Sequence, residues 1–248
     1  MIRLNNVSIA FGSTSAPLAV LDRISLTCKP SQVVSVVGPS GCGKSTMLNI
    51  VAGLLRPTSG TIDIAEGARV GYMMQETLLL GWRTLIENAR LGLELKVAKH
   101  LHRQDELLSF FHRFDLSGFE AALPAATSGG MKQRVALIRT LITDPNCLLL
   151  DEPFSSLDFE VKLTVQRALL DVVKARSASV ILVTHDLDDA IALSDEIVVL
   201  TQRPATKRAT IVTEWGLEER DPVRARSSPR FSELFAKLSE AMAGEHVA

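Results

Sequence analysis

The stretch Gly38-Pro39-Ser40-Gly41-Cys42-Gly43-Lys44-Ser45-Thr46 decides the fold. It follows Val33-Val34-Ser35-Val36-Val37, a β-branched strand pattern. It leads into Met47-Leu48-Asn49-Ile50-Val51-Ala52-Gly53-Leu54-Leu55, which has the apolar spacing of a helix packed on a sheet. Strand, glycine loop, lysine and helix in that order satisfy G-x-x-x-x-G-K-[ST] in its required context, a phosphate-binding loop. Gly38, Gly41 and Gly43 let the backbone curl with its N–H groups turned inward. Lys44 supplies a mobile point charge for the terminal phosphates, and the Ser45 hydroxyl is a ligand for Mg²⁺. The helix beginning here aims its positive dipole end at the same anion. The whole loop, Gly38 to Thr46, is expected to hold a nucleoside triphosphate.

Composition narrows the classes. A chain of 248 residues buries a large core and makes one or two domains. Its net charge of −1 argues against a general electrostatic grip on nucleic acid. The opening Met-Ile-Arg-Leu-Asn-Asn alternates like a strand and lacks the form of a signal peptide. No uncharged apolar run approaches the roughly 20 residues that span a bilayer. Cys28, Cys42 and Cys147 are odd in number and far apart, so neither a disulfide framework nor a metal clip is indicated. A reducing, cytosolic setting is the simplest reading.

Working outward, the first thirty residues alternate apolar and polar and predict antiparallel strands joined through Gly12–Pro17. Short strands are expected at Thr61–Ile64 and Arg69–Gln75. Helices are expected within Leu85–Arg90, Leu101–Phe114 and Met131–Ile142. Cys147–Leu150, Ser179–Val183 and Ile197–Leu200 are unbroken apolar runs, as in strands buried on both faces of a parallel sheet. Strands alternating with helices predict a doubly wound α/β core with a helical insertion between Gln75 and Pro145. Beyond Arg203 the chain turns polar, then ends in the amphipathic stretch Phe231–Leu238. That pattern predicts an appendage on the core, with a fully disordered tail as the competing reading.

Leu148-Leu149-Leu150-Asp151-Glu152 is an apolar strand ending in two carboxylates. The carboxyl ends of parallel strands border the ligand crevice, beside the phosphate loop. There Asp151 is placed to hold Mg²⁺, directly or through water, and Glu152 to polarise an attacking water as general base. An acidic pair also suits a helix N-cap, but the neighbouring phosphate loop favours the chemical role. Cys42 sits among Lys44, aligned N–H groups and a helix N-terminus. Such surroundings predict a thiol more reactive than those of Cys28 and Cys147.

Two more features define the class: Thr127-Ser128-Gly129-Gly130-Met131-Lys132-Gln133-Arg134, and Thr184-His185-Asp186 after the strand ending at Val183. Together the motifs resemble the ATP-binding cassette (ABC) ATPases, in that family's order, from the Phe11 region to about Leu200. The resemblance implies a P-loop NTPase (RecA-like) α/β core with a mainly parallel sheet. It adds an N-terminal antiparallel β subdomain and an inserted helical signature subdomain. Phe11 then matches the aromatic that stacks on adenine, though a core phenylalanine at a strand end is the competing reading. Gln75 matches the glutamine that reaches Mg²⁺. Ser128, Gly129 and Gly130 match the signature that contacts the γ-phosphate held by the other subunit. Asp158 closes Ser155-Ser156-Leu157-Asp158, the loop crossing the dimer interface, and His185 matches the switch histidine. Lys44, Glu152 and His185 would form the catalytic set.

The sequence departs from the family pattern around the signature. Thr127 stands where Leu is usual, and Ile138-Arg139-Thr140 replaces Ala-Arg-Ala with bulkier, β-branched residues. These changes raise the question of how that helix packs. Leu78-Leu79-Leu80-Gly81-Trp82-Arg83 is similar to a stretch of the nitrate, sulfonate and taurine importer ATPases that meets membrane subunits. A buried anchor of the helical subdomain is the alternative for Trp82. The resemblance thus implies an ATP- and Mg²⁺-dependent ATPase, peripheral on the cytoplasmic face of the cell membrane. It would pair with a second copy of itself or a paralogous ATPase. It would dock on transmembrane permease subunits and serve, indirectly, a periplasmic or extracellular substrate-binding protein, with no nucleic acid partner. The expected division is a nucleotide-binding domain over 1–205, with its insertion at about 76–144, and an appendage over 206–248. An exporter or lipid-extraction ATPase, or a soluble non-transport ABC ATPase, is the alternative.

Overall fold

A computed structural model of the chain describes residues 1–13, 16–95, 103–215 and 220–243. The N-terminal alternation becomes a three-stranded antiparallel sheet in the order β2-β1-β4, from β1 (Ile2–Phe11), β2 (Leu18–Cys28) and β4 (Ser59–Ile64). Ile2, Leu4, Val7 and Ile9 of β1 are buried while their neighbours face outward, the period of a half-buried strand.

The second sheet has six strands in the order β5-β6-β7-β3-β8-β9. β3 (Val33–Val37), β5 (Val70–Met73), β6 (Cys147–Asp151), β7 (Ser179–Val183) and β8 (Glu196–Leu200) run parallel. The edge strand β9 (Lys207–Val212) runs antiparallel to β8. Every residue of β6 and β7 is buried, as the unbroken apolar runs predict, and so is every residue of β3. Because β3 and β6 both flank β7, their carboxyl ends deliver the phosphate loop and Asp151 to one edge of the sheet. The helix after the loop, α1 (Lys44–Val51), starts at the lysine itself, three residues before the expected apolar run.

Between β5 and β6 lie α2 (Leu85–Glu94), α3 (Gln104–Arg113) and α4 (Gly129–Leu141). The first residues of the stretch expected to form α3, and part of the Gly12–Pro17 turn, lie outside the described residues. The helical insertion shares a core with one face of the parallel sheet: Leu85, Phe111, Leu137 and Ile138 pack with Leu148, Leu150 and Val180. A second core lies between the two sheets, where Ile24 and Leu4 meet Leu149, Ile181 and Met47. α5 (Phe159–Arg176) and α6 (Leu187–Leu193) complete the doubly wound body.

Over the described residues the competing reading of a fully disordered tail is not met. α7 (Pro222–Ser227) and α8 (Pro229–Ala243) fold back, with Leu234 and Leu238 buried against Val37, Ile191, Ile197 and Val199. The amphipathic period of Phe231–Leu238 is what this burial uses.

The unusual residues of α4 are absorbed by packing. Ile138 is fully buried in the shared core. Thr140 Oγ1 donates to Ala136 O at 3.0 Å, the back-bond that satisfies a buried hydroxyl inside a helix. Its methyl lies against β5 at Gly71, where an added Cβ would come within 3.0 Å of it. Thr127 Oγ1 donates to Pro124 O at 2.9 Å and closes the short turn before α4.

Candidate active site

A cavity of about 480 Å³ opens over the phosphate loop. Its floor is Ser40, Gly41, Gly43, Lys44, Ser45 and Thr46. One wall carries Phe11, Leu18 and Val20 from the antiparallel sheet, and the other carries Gln75, Asp151 and Glu152. Gly41 and Gly43 have φ of +74° and +120°, so the curl uses the left-handed backbone that glycine tolerates. A Cβ at Gly43 would meet Val20 and Leu21 at 2.8 Å, so this glycine also lets β2 close on the loop. Lys44 Nζ donates to Gly38 O at 2.7 Å and to Pro39 O at 2.9 Å, which holds the ammonium across the loop. Phe11 is 41% exposed and lines the cavity, so it is not a core phenylalanine.

Asp151 and Glu152 sit at the end of β6. Burial raises the Asp151 carboxyl above its ordinary value, while a hydrogen bond with Ser45 and the charge of Lys44 oppose the rise. Burial likewise raises Glu152, opposed by the hydrogen bond from His185. His185 Nδ1 and Glu152 Oε2 are 2.8 Å apart. The histidine ring is largely exposed, whereas Glu152 is buried. Thr184 Oγ1 accepts from Asp186 N at 3.0 Å and fixes the turn that presents His185.

Glu152 adopts φ +53°, a left-handed conformation that costs a non-glycine residue on the order of 1–3 kcal/mol. The surroundings over-determine it. Its N–H donates to Val183 O at 2.9 Å, and its carbonyl accepts from Gln133 Nε2 and from Ser155 Oγ. Gln133 Oε1 in turn accepts from Ser156 N at 2.8 Å. Gln133, buried on α4, therefore braces the loop after β6. It belongs to the quoted signature stretch, yet nothing in its spacing assigns it this task.

Several expected residues lie apart from the cavity. Ser128 caps α4, accepting from Met131 N at 3.2 Å, and none of Ser128, Gly129 or Gly130 lines the cavity. Asp158 caps α5, accepting from Val161 N at 3.1 Å. Cys42 corrects an expectation: its thiol is 2% exposed and belongs to the core between the sheets, turned away from the loop mouth. Electropositive surroundings do not make a thiol reactive when reagents cannot reach it. Burial pushes Cys28 up to about 12 and raises Cys147 as well. A charged residue that the sequence did not single out for the site also lines the cavity. Arg203, from the β8–β9 connection, lines the cavity and belongs to no recognisable motif.

Trp82 is 78% exposed and anchors no core. Leu78 and Leu54 are exposed beside a groove of about 300 Å³ lined also by Val70, Tyr72, Met74 and Arg139. Arg139 donates to Thr77 O and Leu78 O at 2.6 and 2.9 Å and pins that segment. No helix among the described residues is long and apolar enough to cross a membrane.

A family model described as ABC transporter matches residues 21–155. The aliphatic sulfonates import ATP-binding protein SsuB of Bacillus thuringiensis subsp. konkukian is 40% identical over 244 residues, covering 96% of this chain and 94% of that one. The formylaminopyrimidine import ATP-binding protein ThiZ of Halalkalibacterium halodurans is 38% identical over 204 residues, covering 82% and 81%. Among solved structures, the dimeric bacterial ABC transporter cassette MJ0796 aligns with a TM-score of 0.78 at 27% identity, over 87% of this chain and all of that one. Its dimeric post-hydrolysis state bound to ADP and Pi aligns with a TM-score of 0.76 at 26% identity, with the same coverage. The chain belongs to the ABC transporter family. It is an ATP-binding ATPase of that family and resembles the importers of the sulfonate group.

Proposed function

We propose that the chain powers an importer of a small anion such as nitrate, a sulfonate or taurine, working as a nucleotide-sandwich dimer on permease subunits. The SsuB relative is named for aliphatic sulfonates, which supports a sulfonate as the cargo, and the ThiZ relative for formylaminopyrimidine, a solute of similar size. The proposed station is the cytoplasmic face of the membrane, with a substrate-binding protein delivering cargo on the other side. The nucleotide-binding domain spans residues 1–205 in this proposal, and 206–248 forms the appendage.

One observation carries the sandwich: the helix N-terminus at Ser128–Gly130 is apart from the cavity that holds the phosphate loop. A helix N-terminus with glycines is an anion site, and one triphosphate needs only one phosphate loop. In a dimer each signature covers the other chain's γ-phosphate, with Asp158 at the crossing. Phe11 stacks on the adenine, and Gly38 to Thr46 cradle the phosphates. Ser45, Gln75 and Asp151 line one cavity, and their side chains offer an all-oxygen donor set that suits Mg²⁺. Bound there, the ion would offset charge on the β- and γ-phosphates. Glu152 orients and deprotonates the attacking water, and His185 holds Glu152 in place while facing the γ-phosphate. The exposed groove lined by Leu54, Val70 and Leu78, together with the exposed Trp82, receives the permease.

A mixed dimer tests the sandwich. One chain carries Lys44→Ala and the other Ser128→Arg, which leaves one composite site free of both changes. Single-site hydrolysis well above that of either homodimer is the expected result. Independent hydrolysis by each chain, with activity linear in protein at all dilutions, would overturn it. Co-purification from membranes identifies the permease and the cargo-binding subunit.

A further inference from the structure

We propose that Arg203 is a second polyphosphate-binding cation, acting beside Lys44. The guanidinium lies over the phosphate loop: a Cβ added at Gly41 would come within 3.0 Å of its Nη2. Arg203 lines the same cavity as Ser40, Lys44 and Gln75. Among the described residues no carboxylate pairs with it, so its charge is available to a ligand. A planar guanidinium suits phosphate oxygens, which it can engage through two N–H groups at once.

Its backbone is held, which separates it from an ordinary surface arginine. Thr201 N donates to Thr206 O at 3.0 Å, and Thr206 N donates to Thr201 Oγ1 at 2.9 Å, closing the connection on itself. Ala205, fully buried, exchanges backbone hydrogen bonds with β2: its N–H donates to Val20 O and its carbonyl accepts from Asp22 N, both at 2.9 Å. Leu200, where the connection begins, packs so closely on Gly38 that a Cβ there would meet its carbonyl at 2.9 Å. The connection is thus seated on the phosphate loop at one end and on the Val20 wall at the other. A triphosphate carries more negative charge than Lys44 alone balances. An unpaired cation delivered to this rim by a closed turn supplies part of the remainder.

The inference rests on the cavity being the nucleotide site, and the test separates the two. Equilibrium binding of ADP and of the non-hydrolysable analogue AMP-PNP is measured by calorimetry on the full chain and on Arg203→Ala, Arg203→Lys and Lys44→Ala. Loss of a charge-assisted contact predicts roughly tenfold weaker binding of both ligands to Arg203→Ala. Arg203→Lys, which keeps the charge but not the two-pronged geometry, should recover part of the loss, and the deficit should shrink as NaCl is raised. The melting temperature of the ligand-free protein should not change. Affinities within twofold of the parent would overturn the proposal. So would a loss that salt and lysine leave untouched, which would place the guanidinium on the base, or a lowered melting temperature, which would make Arg203 a loop anchor. If Lys44→Ala also binds normally, the nucleotide-site reading itself fails.

Discussion

Glu152 concentrates the chemistry of the site in one residue. It is buried, left-handed in φ, hydrogen-bonded to His185 and braced through its carbonyl by Gln133. Glu152→Gln keeps the size and the backbone brace but removes the base. Steady-state hydrolysis should fall by roughly 10²–10⁴-fold while equilibrium binding of ATP is retained. Turnover near the parental rate would remove Glu152 from the base role. At this scale the sequence was informative wherever residue type and spacing encode a task. The glycines, Lys44, Ser45 and the acidic pair all line or frame one cavity. It was uninformative where the task depends on direction. Cys42 looks inward and Trp82 outward, and spacing along the chain carries no sign for either. Gln133 and Arg203 act through contacts 19 or more residues away in sequence, so no local pattern marks them.

At the scale of elements, the helix after the signature shows how a departure in sequence is accommodated. Thr140 is β-branched in a helix, yet its hydroxyl back-bonds to Ala136 and its methyl fills the space left by Gly71 on β5. The absence of a Cβ at Gly71 is therefore the partner of Thr140 across the α4–β5 contact. Gly71→Ala would put a methyl within 3.0 Å of both Thr140 and Pro145. It should destabilise the fold by about 1–3 kcal/mol, the usual cost of overpacking. Adding Thr140→Ala should recover part of that loss, since the two positions share one space. Urea unfolding of the two single variants and the double variant measures the coupling, and simple additivity would disprove the pairing. Strands β6 and β7 were legible because burial on both faces forces apolar runs, and β3 because its β-branched residues precede the glycine loop. Element ends were less so. α1 begins at Lys44 because loop geometry, which apolar spacing does not register, already turns the chain there.

Across the whole molecule, charge ties the C-terminal helices to the catalytic body. Arg226 of α7 donates to Asp189 at 2.9 Å. Asp189 also receives Gln166 at 2.8 Å and Lys162 at 3.1 Å, while Lys162 donates to Asp186, the neighbour of His185, at 2.6 Å. The tail thus reaches the histidine turn through one half-buried network centred on the buried Asp189, and nothing in its polar composition announced this. The outer tie is Arg167 of α5, whose Nε donates to Asp221 at 2.7 Å, while Asp221 also caps α7. The hydrogen bond from Arg167 holds the Asp221 carboxyl below its ordinary value of 3.8, and burial opposes only part of that effect. A carboxyl with a depressed folded-state pKa binds fewer protons folded than unfolded. Its stabilising contribution is therefore complete above the ordinary value and is lost as pH falls through the folded one. Asp221→Asn keeps a good cap but removes the charge. In urea, the parent should be more stable than Asp221→Asn at pH 7, and the gap should stay constant down to about pH 5. It should then close progressively below about pH 4, as the parent's carboxyl takes up its proton. No gap at pH 7 would mean that Asp221 stabilises the tail as a cap alone, without the ion pair.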